Sequence, residues 1–116
     1  MIVPMTTEVQ HCIDACRQCV DASIEATMHC LNCCPDEEHL RPFMDCADLC
    51  NACGNLLRRR SPMSWRLCDV CADSCEQCAD ICERYPQDET MVRCGAACRE
   101  CSDACRKIGN VVAKAA

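Results

Sequence analysis

Cysteines at helical spacing are the residues of this sequence best suited to do chemistry. From Cys68 to Cys82 the chain reads CDVCADSCEQCADIC, and its cysteines follow one another at steps of 3, 4, 3 and 4 residues. This spacing is the a/d repeat of a bundled α-helix, with cysteine in place of leucine or isoleucine. Because the other long stretches of the chain repeat the pattern, we predict a helix bundle whose core is lined largely by thiols.

Thiol pairs at this spacing indicate a soft, monovalent metal ion. Side chains at i,i+3 or i,i+4 have Cβ atoms about 5–6 Å apart. Modest rotamer changes bring the sulfurs to about 4.5 Å, which is twice a metal–sulfur bond of about 2.3 Å. A metal ion between them is then nearly linearly coordinated, and Cu(I) is the ion among those selected by thiolates that accepts this geometry.

Charge balance also favours Cu(I) over zinc. A buried thiol stays protonated, and exchanging each proton for one Cu(I) leaves the charge of the core unchanged. A zinc ion on four thiolates leaves a net charge of about −2, which is costly to bury. The 18 cysteines could therefore hold a similar number of Cu(I) ions.

Other classes of cysteine-rich protein fit the sequence less well. A share of 18 cysteines in 116 residues is typical of a secreted disulfide scaffold. However, the N-terminus MIVPMTTEVQ does not read as a signal peptide, and cysteines that neighbour each other on one helix make poor disulfides. We therefore expect reduced thiols and a cytoplasmic location. An iron–sulfur or thiol redox protein and a zinc buffer stay as alternatives, although no stretch has the spacing of a bacterial iron–sulfur motif.

Composition limits the partners and activities of the protein. The formal charge of −6 and the aromatic content of 3% argue against nucleic acid or an anionic membrane as a partner. No apolar run approaches the length of a membrane span. Since the sequence shows no pairing of a nucleophile with a base, we expect a binding protein without catalytic residues.

Four helical segments must position the cysteines, because prolines and capping residues interrupt the chain at three places. Pro42 is expected in the first turn of the second helix. Ser61 is expected to cap the third helix ahead of Pro62, and Asp88 the fourth. Short links make successive helices antiparallel, so we predict one all-α domain over residues 1–116, an antiparallel four-helix bundle with a cysteine-lined core. Its helices are expected over residues 7–33, 42–60, 62–84 and 88–113.

The segments CDVCADSCEQCADIC and CGAACRECSDAC, joined by a short turn with Pro86, resemble the bacterial copper storage proteins. That resemblance covers nearly the whole chain and implies Cu(I) storage by a protein that assembles into a homotetramer. We expect the cytosolic type of the family, with a copper chaperone as donor or acceptor of the metal. Three positions of the thiol pattern, Ser23, Ala26 and Leu57, depart from it and put the capacity near them in doubt. The metal ligands that the resemblance implies are Cys12, Cys16, Cys19, Cys30, Cys33, Cys34, Cys46, Cys50, Cys53, Cys68, Cys71, Cys75, Cys78, Cys82, Cys94, Cys98, Cys101 and Cys105.

The resemblance also implies that copper enters at one end of the bundle, past softer ligands. The end where the first and third helices finish has more histidine and methionine than the other. We expect four residues there to act as uptake ligands: Cys34, His39, Met44 and Met91. His29 and Met28 are expected to turn away from the thiol pattern, toward the surface.

Overall fold

Four α-helices account for most of the chain that the computed structural model describes, which is residues 4–33 and 36–115, with the backbone alone at residue 37 and residues 110–115. Cys34 lies outside the described residues. The helices are α1 (Thr7–Cys33), α2 (Glu37–Arg58), α3 (Ser64–Cys82) and α4 (Glu89–Ala115).

Short links between these helices produce an antiparallel bundle. α1 packs against α2 and α4, and α3 packs against the same two helices from the opposite corner. The resulting rod measures 46 × 20 × 18 Å. This arrangement confirms the predicted all-α four-helix bundle. No helix in the described part of the chain is long and apolar enough to cross a bilayer.

The start of α2 differs from the prediction. The helix begins at Glu37, and the side chain of Asp36 caps it by accepting the Glu38 amide at 2.9 Å. Pro42 therefore lies inside the helix rather than in its first turn. The acidic residues at 36–38 favour the positive end of a helix, and their stabilisation outweighs the single hydrogen bond that a proline this close to the N-terminus removes.

The link between α2 and α3 consists of two tight turns. Arg60 has a left-handed φ of 55°, its amide bonds to the Leu57 carbonyl, and the Ser61 amide bonds to the Leu56 carbonyl, each at 3.0 Å. This is the Schellman ending of a helix, here without the usual glycine. α3 then begins at Ser64 rather than at residue 62, because Ser61 closes a separate turn by accepting the Ser64 amide at 3.1 Å.

Asp88 caps α4 as the sequence predicts. Its Oδ1 accepts the amides of Thr90 at 3.1 Å and Met91 at 3.4 Å. On the outer face, Arg99 of α4 pairs with Asp80 of α3 and with Glu83, the residue that follows α3, each at 2.7 Å. These exposed pairs align α4 against α3, although each adds little stability by itself.

Candidate metal centre

Twelve cysteines form the middle of the core. They lie in three levels, and each helix contributes one thiol to each level. All twelve are at most 1% exposed. The helical repeat explains the arrangement, since steps of three and four residues on each helix return the side chain to the same inner face. From the end where α1 begins, the levels are Cys12, Cys53, Cys68 and Cys105; then Cys16, Cys50, Cys71 and Cys101; then Cys19, Cys46, Cys75 and Cys98.

The sulfurs of these levels form a continuous network rather than separate pairs. The Cys50 sulfur lies 3.4 Å from that of Cys71, 3.7 Å from that of Cys75, and 3.9 Å from those of Cys46 and Cys101. A disulfide would hold two sulfurs about 2.05 Å apart, and the described cysteines form no disulfide. Each sulfur is therefore placed to contact more than one neighbour, within a level and between levels.

Contacts between helices dominate this network. Cys19 of α1 lies 3.7 Å from Cys46 of α2, 3.8 Å from Cys75 of α3 and 3.7 Å from Cys98 of α4, measured between sulfurs. The spacing within one helix predicted i,i+3 and i,i+4 pairs, and the structure adds these cross-helix contacts. In four groups, three or four sulfurs lie within 4.8 Å of one another, a geometry that suits shared metal ions.

Burial disfavours the thiolate form of each core thiol, whereas contacts between thiols raise the pKa of some, such as Cys98, and lower that of others, such as Cys46. Hydrogen bonds with Cys19 and Cys46 raise the pKa of the Cys98 thiol, and burial raises it further. In the described part of the core, the buried polar residues that are not cysteine are three uncharged serines, Ser23, Ser64 and Ser102. Because no buried cation balances a thiolate there, an arriving monovalent cation can take the place of a proton at little electrostatic cost.

One end of the bundle is sealed by apolar side chains. Val9, Leu57 and Ile108 are fully buried beyond the level that contains Cys12. Ser64 completes this end, and its hydroxyl donates a hydrogen bond to the Ser61 carbonyl at 2.6 Å. Among the residues that the structure describes, this apolar end offers no path for a metal ion between its fully buried side chains, and the opposite end holds the remaining thiols.

Toward that opposite end, the core contains fewer thiols, and most of them belong to α3 and α4. The pKa of the Cys82 thiol is raised by its hydrogen bond with Cys94, by burial, and by the nearby thiols of Cys78 and Cys30. The Cys78 sulfur also donates a hydrogen bond to the Pro42 carbonyl at 3.1 Å. This second group of four buried thiols is continuous with the first, because Cys94 lies 4.0 Å from Cys98.

The four expected uptake ligands have different environments. Met91 is buried with 3% of its surface exposed, whereas Met44 is 56% exposed. His39 packs its ring edge-on against Tyr85, with the ring centroids 5.7 Å apart. Cys34 lies outside the described residues; of the three ligands that the structure describes, Met91 is the one in the buried core with the thiols.

Cys33 differs from its expected position on the inner stripe. It is exposed, whereas the other 16 described cysteines are buried. Cys33 is the last residue of α1, so its side chain lies at the rim of the bundle. Its sulfur approaches the His29 ring nitrogens at 3.7 and 3.8 Å.

His29 is the polar residue near this end that the sequence reasoning missed. We expected it at the surface, but its side chain is 30% exposed and its Nε2 lies 2.7 Å from an Asp88 carboxylate oxygen. That contact holds the pKa of the Asp88 carboxyl below its usual range, with help from the Met91 and Thr90 amides. The i,i+4 spacing of His29 and Cys33 was the one local signal, because Asp88 is 59 residues away.

Comparisons with known proteins agree with this geometry. A family model described as copper storage protein, Csp, matches residues 5–110. A protein of known structure from Nitrosospira multiformis shares 36% identity and superposes with a TM-score of 0.82, covering 90% of this chain and 96% of that one. A search of curated proteins gives no significant match.

Two further solved structures are of copper storage proteins. The Cu(I)-bound copper storage protein 3 of Bacillus subtilis shares 28% identity with a TM-score of 0.80, covering 89% of this chain and 99% of that one. Ccsp of Streptomyces lividans, loaded with 10 copper equivalents, has the same identity and TM-score and covers 89% of this chain and 84% of its own. The family match spans every cysteine from Cys12 to Cys105. This chain therefore belongs to the copper storage protein family.

Proposed function

We propose that this protein stores Cu(I) in its thiol core and has no catalytic role. The observation that carries the proposal is the continuous network of buried thiols, which holds 16 of the 17 described cysteines and no disulfide. Neighbouring sulfurs are 3.4–4.0 Å apart, and a linear site needs about 4.6 Å. Side-chain rotations that separate neighbouring sulfurs by about a further 0.6–1.2 Å would therefore create sites throughout the core.

Several Cu(I) ions per chain follow from the way that the sulfurs are shared. If each ion required two thiolates of its own, 16 buried thiols would hold about half that number of ions. Because most of these sulfurs have two or more neighbours on different helices, each thiolate can bridge two ions, which brings the capacity close to one ion per thiol. The Cu(I)-bound relatives from Bacillus subtilis and Streptomyces lividans support this proposal.

The proposal extends to how copper reaches the core. We place uptake at the end that holds Met91, because the other end is closed by fully buried apolar residues. Met91 is the best placed of the four expected ligands, Cys34, His39, Met44 and Met91, and a copper chaperone would act as donor or acceptor there. A cytosolic location fits the reduced thiols, and one Streptomyces lividans relative is described as a cytosolic copper storage protein.

Assembly into a homotetramer is also part of the proposal. Ile24, Met28 and Leu31 are about half exposed along one face of α1, at 51%, 54% and 49%. An exposed apolar stripe at helical spacing is typical of a protein–protein contact. Light scattering should show that Ile24→Glu lowers the mass of the assembly, while Val70→Glu, at an isolated exposed site on α3, leaves it unchanged. A monomeric native protein would remove this part of the proposal.

An anaerobic Cu(I) titration against a competing chelator tests storage directly. We expect saturation above about ten ions per chain, because thiolates are shared; saturation at roughly four or fewer, the limit for isolated four-sulfur sites, would reject it. Counting the reactive thiols of the native protein distinguishes a reduced thiol core from a disulfide scaffold, because the scaffold would react with almost no thiol reagent. A coloured protein that absorbs near about 400 nm would instead favour the iron–sulfur alternative.

A further inference from the structure

At the uptake end, the core is lined by sulfur on one side. Phe43 fills the α2 position with no exposed surface, and Ser23 and Ala26 fill the corresponding positions of α1. None of these three side chains is a good ligand for Cu(I). The buried thiols that the structure describes at this end are Cys30 of α1 and three of α3 and α4, namely Cys78, Cys82 and Cys94; Cys33 of α1 is exposed at the rim.

The axis of the bundle is covered above Phe43. Leu40 is partly buried against the core. His39, with 13% of its side chain exposed, lies edge-on against the Tyr85 ring at 5.7 Å between centroids. Between Leu40 and Cys46, α2 offers an ion no thiol, and its one sulfur there is the exposed thioether of Met44.

A groove of about 290 Å³ lies where α3 ends and α4 begins, and both Cys82 and Met91 line it. Gly95 and Ala96 line the same groove, where Gly95 contributes backbone and Ala96 a single methyl group. The helices approach closely at Gly95, where an added Cβ would lie 3.1 Å from the Cys82 Cβ.

We propose that Cu(I) enters laterally, through the groove between α3 and α4, with the Met91 thioether and the Cys82 thiol as its first two protein ligands. From Cys82 the ion passes to Cys94, and from there to Cys98, which lies 4.0 Å from it in the level that contains Cys19. This inference rests on the proposed storage function and identifies the path that feeds the store.

The transfer is a ligand exchange without oxidation or reduction. The ion arrives as a Cu(I) thiolate complex, and the neutral Met91 sulfur can bind first because it has no proton to lose. The Cys82 thiol then forms a Cu–S bond and releases its proton to solvent in the groove, while the bond between copper and the donor thiolate breaks. The donor thiolate takes up a proton from solvent, so copper stays monovalent and charge is balanced.

Two variants block the proposed path in different ways. Gly95→Ala places a methyl group against Cys82, and Met91→Leu removes the thioether but keeps a similar volume. Each should slow Cu(I) loading by about tenfold, as for a barrier raised by about 1.4 kcal/mol. Capacity should stay within about one ion of the native value, since Met91 is outside the store. Gly54→Ala is the matched control, because a Cβ there would meet Cys16 at an ordinary 3.6 Å.

Stopped-flow transfer of Cu(I) from a glutathione complex, followed by the ultraviolet absorption of Cu–thiolate bonds, measures these rates. Slow loading of both variants, with a normal rate for Gly54→Ala, supports lateral uptake; if Gly95→Ala does not fold, Met91→Leu decides alone. Native rates in the Met91 and Gly95 variants would overturn it, and so would a His39→Ala variant that is slower than both. Failure of storage itself would appear separately, as low capacity in the native protein.

Discussion

Release of one proton for each Cu(I) bound is the outcome that the thiol core predicts most directly. The perturbation is the addition of Cu(I) to the reduced, metal-free protein near neutral pH. Hydrogen bonding and burial hold the pKa of thiols such as Cys98 above its ordinary value, so these thiols carry their protons in the metal-free state. The described core offers no buried cation that would stabilise thiolates before copper arrives.

The sulfur–sulfur distances give the magnitude. Two thiolates 3.7 Å apart, as Cys19 and Cys46 would be, repel each other by about 4 kcal/mol at an effective dielectric constant near 20. That energy corresponds to roughly a thousandfold suppression of the second ionisation. The electrostatic cost of binding is therefore lowest when one Cu(I) replaces one proton. The apparent binding constant should then rise about tenfold per pH unit for each ion.

The number of protons released per Cu(I) ion is measured with a pH dye in a weakly buffered solution during an anaerobic Cu(I) titration. Release close to zero would show that the thiols are already ionised, and two protons per ion throughout would indicate isolated thiolate pairs; either result refutes the argument. The metal-free protein supplies a second test. Thiols whose folded pKa is raised, such as Cys98, contribute stability that is complete below the unfolded pKa of about 8.5 and is lost as pH rises through the folded pKa.

Other substitutions test the packing and the helix ends. Phe43→Ala should destabilise the metal-free protein by about 3–5 kcal/mol in denaturant unfolding, because it leaves a cavity at a fully buried position. Arg60→Gly should stabilise it by about 1 kcal/mol in the same assay, since glycine adopts the left-handed φ of 55° without strain. Asp88→Ala should lower the melting temperature near neutral pH by removing both the α4 cap and the contact with His29. Ser23→Cys should raise the copper content by about one ion, because the Ser23 hydroxyl lies 3.9 Å from the Cys19 sulfur within the core.

Periodicity was sufficient to predict the thiol core because each helix repeats the same pattern over several turns. The prediction weakens where a turn or a distant residue decides the outcome. Pro42 suggested a later start for α2, but the cap at Asp36 outweighs the hydrogen bond that the proline removes. Cys33 continues the repeat in sequence, yet it ends its helix at the rim, where periodicity no longer implies burial.

Contacts between helices are the part of the site that the sequence could not supply. The spacing on one helix predicts i,i+3 and i,i+4 pairs, but it does not determine which thiols of different helices share a level. That depends on the offset between helices, which the turns and the apolar residues at the closed end set together. The contact between His29 and Asp88 is of the same kind, since no local pattern links two residues 59 positions apart.

The cross-helix thiols also explain why this core can exist before any metal arrives. A protonated cysteine packs as a small hydrophobe, so the levels are filled and dry without copper. Val9, Leu57 and Ile108 close one end, and the helices are held in register independently of the ions. Copper loading then requires the distance between neighbouring sulfurs to increase from 3.4–4.0 Å to about 4.6 Å, which side-chain rotation can provide. A metal site assembled from loops would first have to order its ligands, and its folding would depend on the metal. Here most of that ordering is completed by folding, so the binding free energy of Cu(I) is available for retention of the ion.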